Sequence, residues 1–334
     1  MVVSLNEAKN NTTTDLDVSV IDEFRKQSGI LDTLVFDDVV NPAGGGATLD
    51  YGYRRQITQG DAAFRPLNTE YTPAEVVTQK YSVTLAPLGG AFQVDRVIAK
   101  LGPAASGAVA LNLREKIKAT RTKFQDALIN GDTAVDAAGF DGLDKALVGS
   151  STEINAGVVT DWSDFDSDPR AEYKALDVLD EFLGNLDGAP TVIVANKSAL
   201  ARVRAAVRRA NMFVQSPVDD LLGAGGRPIV RETYGGILLI DAGEKAGSSQ
   251  PIIPVRSATV GGNAATGLTD IYAYRVGLDG FHGVSTIGGQ LVQTFLPDFT
   301  TPLAVKRGEV ELGPVAVALK ATKAAAVLRN VKVR

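Results

Sequence analysis

The chain has no cysteine and a single histidine, His282, in 334 residues. The first absence removes disulfides, thiolate nucleophiles and cysteine metal sites. The second leaves no pair of imidazoles to share a metal ion or relay a proton. His282 sits in Gly280-Phe281-His282-Gly283 with no serine-nucleophile motif elsewhere to use it, so it reads as structural. There is no run of about 18 apolar residues, and the start, from Met1 to Glu7, lacks the basic flank and apolar stretch of a signal peptide. The expectation is a chain that neither spans a membrane nor leaves by the usual export route. No catalytic, cofactor-binding or metal-ligating set is expected.

What is present suits a folded protein: 45% apolar and 22% charged residues. The length corresponds to roughly two domains of about 150 residues. Net charge is −5 but unevenly spread. Residues 1–50 carry nine acids against Lys9, Arg25 and Lys26, whereas 301–334 carry seven bases against Glu309 and Glu311. Ends of opposite sign suit docking between neighbours. Two independently solvated surfaces would look the same in sequence.

Residues 1–42 form an Asn/Thr/Asp-rich arm with one helix-like stretch, Val20 to Gln27, stopped at Gly29. Beyond Gly44-Gly45-Gly46 the pattern becomes extended. Leu49, Tyr51 and Tyr53 alternate with Asp50, Gly52 and Arg54; on the return limb Tyr81, Val83 and Leu85 alternate with Lys80, Ser82 and Thr84. Between the limbs lies a polar stretch of about 25 residues containing Arg54, Arg55, Asp61, Arg65, Asn68 and Glu70, longer than an ordinary connection. A protruding hairpin and a loose arm bury little of themselves. They make sense when a neighbouring copy covers them, which points to an assembly subunit.

A long helix follows, with Pro103 just inside its start and Gly131 just past its end. Val109, Leu113, Ile117, Phe124 and Leu128 make its apolar stripe, with Thr120 in the gap, and Arg114, Lys116, Lys118, Arg121 and Lys123 occupy the rest. About 28 residues would span roughly 40 Å. Its basic face has two readings, a subunit contact or a solvated surface; tight nucleic-acid binding lacks the usual basic, aromatic footprint. Next, Asp168 is expected to cap a second helix, with Pro169 at its first position and Leu176, Leu179 and Phe182 leading to Gly184. A strand, Thr191 to Ala195, is followed by a third helix capped by Asn196, an α/β layer. Further strands are expected at Ile229-Val230, Gly236–Asp241, Asp270–Arg275, and through Val315, Val317, Leu319, Val331 and Val333.

Two stretches imitate ligand motifs. Gly223-Ala224-Gly225-Gly226-Arg227-Pro228 lacks the Gly-Lys-Ser/Thr ending of a phosphate loop, and its proline falls where a helix would begin. Asp161, Asp164, Asp166 and Asp168 lack the central glycine of a calcium loop, and Phe165 occupies a ligand position.

The order of segments resembles the major capsid proteins of tailed bacteriophages, the Hong Kong 97 phage fold. The resemblance is carried by the long helix ending Phe124 to Asp132, the following Gly139 to Leu143, and the strand-to-helix junction Val192 to Asn196. It implies an α+β fold with an N-terminal arm (1–42), an extended β-hairpin loop (43–88), a peripheral domain (89–165 and 297–334) built on a spine helix (103–130), and an axial domain (166–296). It further implies a virion shell of pentamers and hexamers around double-stranded DNA held without specific binding, with a separate scaffolding protein and a portal as partners, assembled in the host cytoplasm. Tyr51, Tyr53, Arg54, Arg55, Arg65 and Glu70 are the expected subunit-interface residues. Some members of the family crosslink through a lysine in the extended loop, and here residues 44–79 contain none. Two rivals stand beside this reading: an encapsulin-like nanocompartment shell of the same fold, and a soluble α/β enzyme.

Overall fold

The computed structural model describes residues 29–38, 49–97, 102–210, 215–222, 228–286 and 292–334. The described residues open with a one-turn helix α1 (Ile30–Thr33) and strand β1 (Phe36–Asp37), then the hairpin β2 (Asp50–Gln56) and β3 (Thr78–Thr84). Strand β4 (Ala86–Asp95) leads to the long helix α2 (Gly102–Asn130), followed by α3 (Leu143–Leu147), β5 (Glu153–Ile154) and β6 (Thr160–Asp161). Helix α4 (Ala171–Gly184), β7 (Val192–Ala195) and α5 (Lys197–Arg209) make the expected helix–strand–helix layer. Strands β8 (Gln215–Leu222), β9 (Pro228–Tyr234), β10 (Ile237–Asp241), β11 (Arg256–Val260), β12 (Asn263–Tyr274), β13 (Phe281–Ser285) and β14 (Val292–Phe295) come next. The chain closes with β15 (Val305–Leu319) and β16 (Ala325–Lys332).

These strands build two large sheets. One has the order β1-β13-β15-β14, with β4 also on β15; the other runs β5-β16-β12-β7-β10-β9-β8, with β11 on β12 and β6 on β16. Period-two alternation gives the second sheet two apolar faces. Val192, Val194, Tyr272, Tyr274 and Val327 face a core shared with α2 and β15, whereas Ile193, Ala195, Ile271, Ala273 and Leu328 face a core roofed by α4 and α5.

The spine helix ends as its sequence indicates. Phe124, Leu128 and Ile129 are fully buried, and Thr120 and Thr122 return their hydroxyl protons to the carbonyls of Lys116 and Lys118 at 2.8 and 2.9 Å. After Asn130 the backbone doubles back against the helix end, Gly142 N donating to Gly131 O at 2.8 Å. A Cβ on Gly131 would lie 2.3 Å from Phe140 O, and one on Gly142 would lie 2.5 Å from Ala127 O. Backbone carbonyls cannot step aside cheaply, so Gly131→Ala and Gly142→Ala are each expected to lose about 1–3 kcal/mol, read as a lower urea midpoint at unchanged slope.

Asn196 caps α5: its Oδ1 accepts from Ala199 N at 2.8 Å, while its Nδ2 donates to Thr269 Oγ1 at 2.7 Å. The expected Asp168 cap on α4 is corrected. Arg170, in a left-handed conformation (φ 61°), precedes the first helical residue, Ala171, and the Asp168 carboxylate instead pairs with the Lys174 ammonium. The expected domain bounds also differ from the sheets. β16, placed with the peripheral part, pairs with β12, and β13, placed with the axial part, pairs with β15. The short turn at Thr322–Ala324 carries the chain directly from one sheet to the other. The expected helix at Val20–Gln27, most of the arm and Gly223–Arg227 lie outside the described residues.

Candidate subunit interface

The hairpin pairs Tyr51 with Val83, Tyr53 with Tyr81 and Arg55 with Gln79, which places the aromatic side chains on one face. That face is turned to the chain's own body. Tyr51 is buried, and its hydroxyl donates to Asp37 Oδ2 at 2.8 Å. Its ring meets His282 edge-on at 5.8 Å, with His282 Nε2 3.3 Å from the hydroxyl oxygen, and the Lys320 ammonium stands 5.3 Å from the ring centre. Burial pushes the Tyr51 phenol well above its ordinary range, and the Asp37 carboxylate adds to it. Tyr53 donates to Leu319 O at 3.0 Å and stacks on Tyr81 at 5.9 Å. Arg55 lies 4.4 Å over the Tyr81 ring and donates to Lys320 O at 2.9 Å and to Leu319 O. Together these groups clamp the root of the hairpin onto the end of β15.

The expected interface set is therefore divided. Tyr51, Tyr53 and Arg55 serve the root within one chain, because their polar atoms are spent on Asp37, Leu319 and Lys320. Arg54 and Glu70 are exposed and make no ion pair among the described residues. Arg65 shapes the tip: its guanidinium donates to Thr69 O at 2.9 Å and lies 5.2 Å over the Tyr71 ring, and Asn68 adopts φ 67°. On this preformed turn Phe64 is fully exposed and Leu67 is 89% exposed. Sequence reading overlooked both; the signal was two large apolar side chains at the turn of the long loop, more exposed than its other apolar residues Ile57, Tyr71, Val76 and Val77. Covering them on association would contribute roughly 3–6 kcal/mol.

His282 is buried, and desolvation, helped by the Lys320 charge, holds its imidazole below the ordinary value. A depressed histidine value means that the unfolded chain takes up a proton first as pH falls below about 6.5, so stability present above that pH is lost below it. Wild type is expected to lose melting temperature between pH 7 and pH 5 relative to a His282→Gln variant, read by paired thermal scans.

The aspartates at 161–168 are occupied by cations or their own turns. Asp166 accepts two bonds from Arg209, Asp161 meets Lys332 at 2.8 Å, and Asp164 Oδ1 accepts from Asp166 N at 2.8 Å. Among the described residues no group of three or more potential ligands gathers.

No protein-family model matches the chain, and no curated protein does. Solved structures match over nearly its whole length. The encapsulin of the holo complex from Synechococcus elongatus superposes with a TM-score of 0.62 at 16% identity, covering 100% of this chain and 97% of the other. The capsid of an empty GTA particle gives 0.58 at 13% identity, with 98% of each chain covered. A chain of Mycobacterium phage Bobi gives 0.58 at 12% identity, again with 98% of each covered. This chain has the Hong Kong 97 fold. Within that fold α2 is the spine helix and β2–β3 the extended loop, and at these identities the likeness is one of architecture.

Proposed function

We propose that the chain is a structural, non-catalytic shell protein that assembles as pentamers and hexamers into a closed icosahedral particle around double-stranded DNA, as the capsid of a virion. The observation that carries this reading is the extended loop itself. Its root is clamped to its own subunit by Tyr51, Tyr53 and Arg55, while its tip holds Phe64 and Leu67 out in a shape fixed by Arg65. A soluble enzyme would gain nothing from such a projection; a subunit that covers its neighbour would. Likeness to phage and GTA capsids over nearly the whole chain supports the same conclusion. A separate scaffolding protein and a portal would complete assembly, taking place in the host cytoplasm.

A second reading has its own support, since the encapsulin match covers 100% of this chain. In that case the shell would enclose protein cargo. Nucleic-acid content of purified, nuclease-treated particles separates the two: protected double-stranded DNA agrees with the capsid, and particles with protein cargo and no nucleic acid agree with the nanocompartment. Residues 44–79 hold no lysine and Lys80 lies on β3 opposite Arg54, away from the tip, so no lysine isopeptide bond from the tip of the loop to a neighbour is expected. Boiling the shell in detergent is expected to return a single band at the monomer mass, and a ladder of multimers would contradict this.

A further inference from the structure

The one imidazole of the chain lies beneath the root of the extended loop. Side chains alternate across a strand, so the register of β1 on β13 (Asp37 with Val284) and of β13 on β15 (His282 with Ala318) puts Asp37, His282 and Ala318 on one face of the first sheet. The hairpin roofs that face. Tyr51 stands edge-on to His282 at 5.8 Å, Tyr53 and Arg55 donate to the Leu319 and Lys320 carbonyls, and His282 is fully buried.

The space beneath Tyr51 suits a neutral ring. The Tyr51 hydroxyl gives its one proton to Asp37, so its oxygen, 3.3 Å from His282 Nε2, is left to accept from an Nε2–H. Nδ1 then carries a lone pair and makes no hydrogen bond. The groups that face the ring are Tyr51 from β2, Asp37 from β1, Lys320 at the end of β15 and, on its own segment, the carbonyls of Gly277 and Gly280. Burial and the Lys320 ammonium oppose a charge on the ring; Asp37 and the two carbonyls favour one and are outweighed. Asp37 already serves the Tyr51 hydroxyl and, at 3.9 Å, the Lys320 ammonium.

Water can reach His282 when the sheet unfolds or when its roof lifts. Lifting the roof needs less free energy, because it breaks the contacts of Tyr51, Tyr53 and Arg55 and leaves the strand pairing of both large sheets in place. We infer that His282 makes the attachment of the extended loop acid-sensitive: its imidazole takes up a proton when the root lifts from the sheet, so acid releases the hairpin while the two sheets stay folded. The device belongs to the single chain. Its consequence for a particle, a looser hold of each loop on its neighbour, rests on the shell reading. A ring that is charged more readily in the open form favours opening as pH falls below about 6.5, by at most about tenfold per pH unit.

Hydrogen exchange of the full chain, read by mass spectrometry, tests this. Peptides over Asp50–Gln56 and Thr78–Thr84 report the root, and Ala325–Lys332 in the second sheet is the reference that cancels the pH dependence of exchange itself. Between about pH 7.5 and about pH 5.5 the wild-type root is expected to lose about tenfold in protection relative to the reference, and His282→Gln to lose none. Lys320→Gln keeps the imidazole but removes the ammonium that opposes its charge, so its loss is expected to be smaller than that of wild type; it decides the question if circular dichroism shows His282→Gln unfolded. Wild-type root protection that does not change with pH, or that falls as far in either variant, would overturn the inference, as would loss of protection in root and reference together. Particles that survive at the lower pH with their hairpins released would leave the device standing and count against the loop's part in the shell.

Discussion

With Phe64 and Leu67 both changed to serine, the protein stays folded and monomeric and forms no particles. The fold is spared because neither side chain touches its own subunit, the first being fully exposed and the second nearly so. The root of the loop keeps the Tyr51–Asp37 bond and the Arg55–Tyr81 stack. Assembly fails because each subunit loses roughly 3–6 kcal/mol of apolar burial at a contact repeated throughout the shell. Light scattering after size exclusion, with circular dichroism to confirm the fold, checks the result. Wild-type particles from this variant would remove the tip from the interface. Arg65→Ala is a graded companion: it keeps the anchors but frees the turn that Arg65 holds through Thr69 and Tyr71, so assembly slows without being abolished.

The second large effect concerns stability. Arg329 on β16 is the hub of a buried ionic network: Nε meets Glu153 Oε1 at 2.9 Å, and Nη1 meets Asp270 Oδ2 at 3.2 Å and the Asp144 carboxylate. Arg256 completes it with two bonds to Asp270 at 2.6 and 3.0 Å, and Tyr272 Oη donates to Asp144 Oδ1 at 2.7 Å. One side chain thus ties together α3, β5, β12 and β16. Arg329→Met keeps much of the apolar stem but leaves the largely buried Glu153 without its cation, while the partly exposed Asp144 keeps the Tyr272 hydroxyl. Removing one partner of a buried charge cluster costs about 3–5 kcal/mol. Urea unfolding measures it, with Lys332→Ala as the control. Lys332 pairs with Asp161 at 2.8 Å in solvent, and its loss is expected to change stability by less than about 1 kcal/mol. Equal effects from the two variants would mean that the network contributes no more than a surface pair.

Local signals in this chain were legible where a single residue carries a single physical task. Pro103 and Gly131 bracket the spine helix, Asn196 caps α5, and the alternation of Tyr81, Val83 and Leu85 marks the inner face of the hairpin. The Asp168-Pro169 signal misled because Arg170 adopts a left-handed turn and Asp168 has Lys174 within reach, a choice made by geometry that the sequence does not display. The partition of the C-terminal strands was hidden for a different reason. Both β15 and β16 are apolar, and only pairing partners, β4 and β13 for one and β12 for the other, assign them to different sheets. At the candidate interface the residue types are visible in the chain, but the direction of their side chains is not. Tyr51, Tyr53 and Arg55 look like interface residues because they are aromatic or cationic on a protruding strand; His282, Asp37 and the β15 carbonyls, distant in sequence, turn them inward. The Arg329 network was invisible in the same way, since its carboxylates come from positions 144, 153 and 270.

Whether the chain is a shell subunit is decided most directly by electron microscopy of the purified protein at high concentration, alone and after co-expression with a scaffolding protein, with light scattering to count subunits. Closed particles, or isolated pentamers and hexamers with the extended loop of each copy lying over the next, are the predicted result. A monomer under all of these conditions, with the tip of its loop in solvent, would contradict the account.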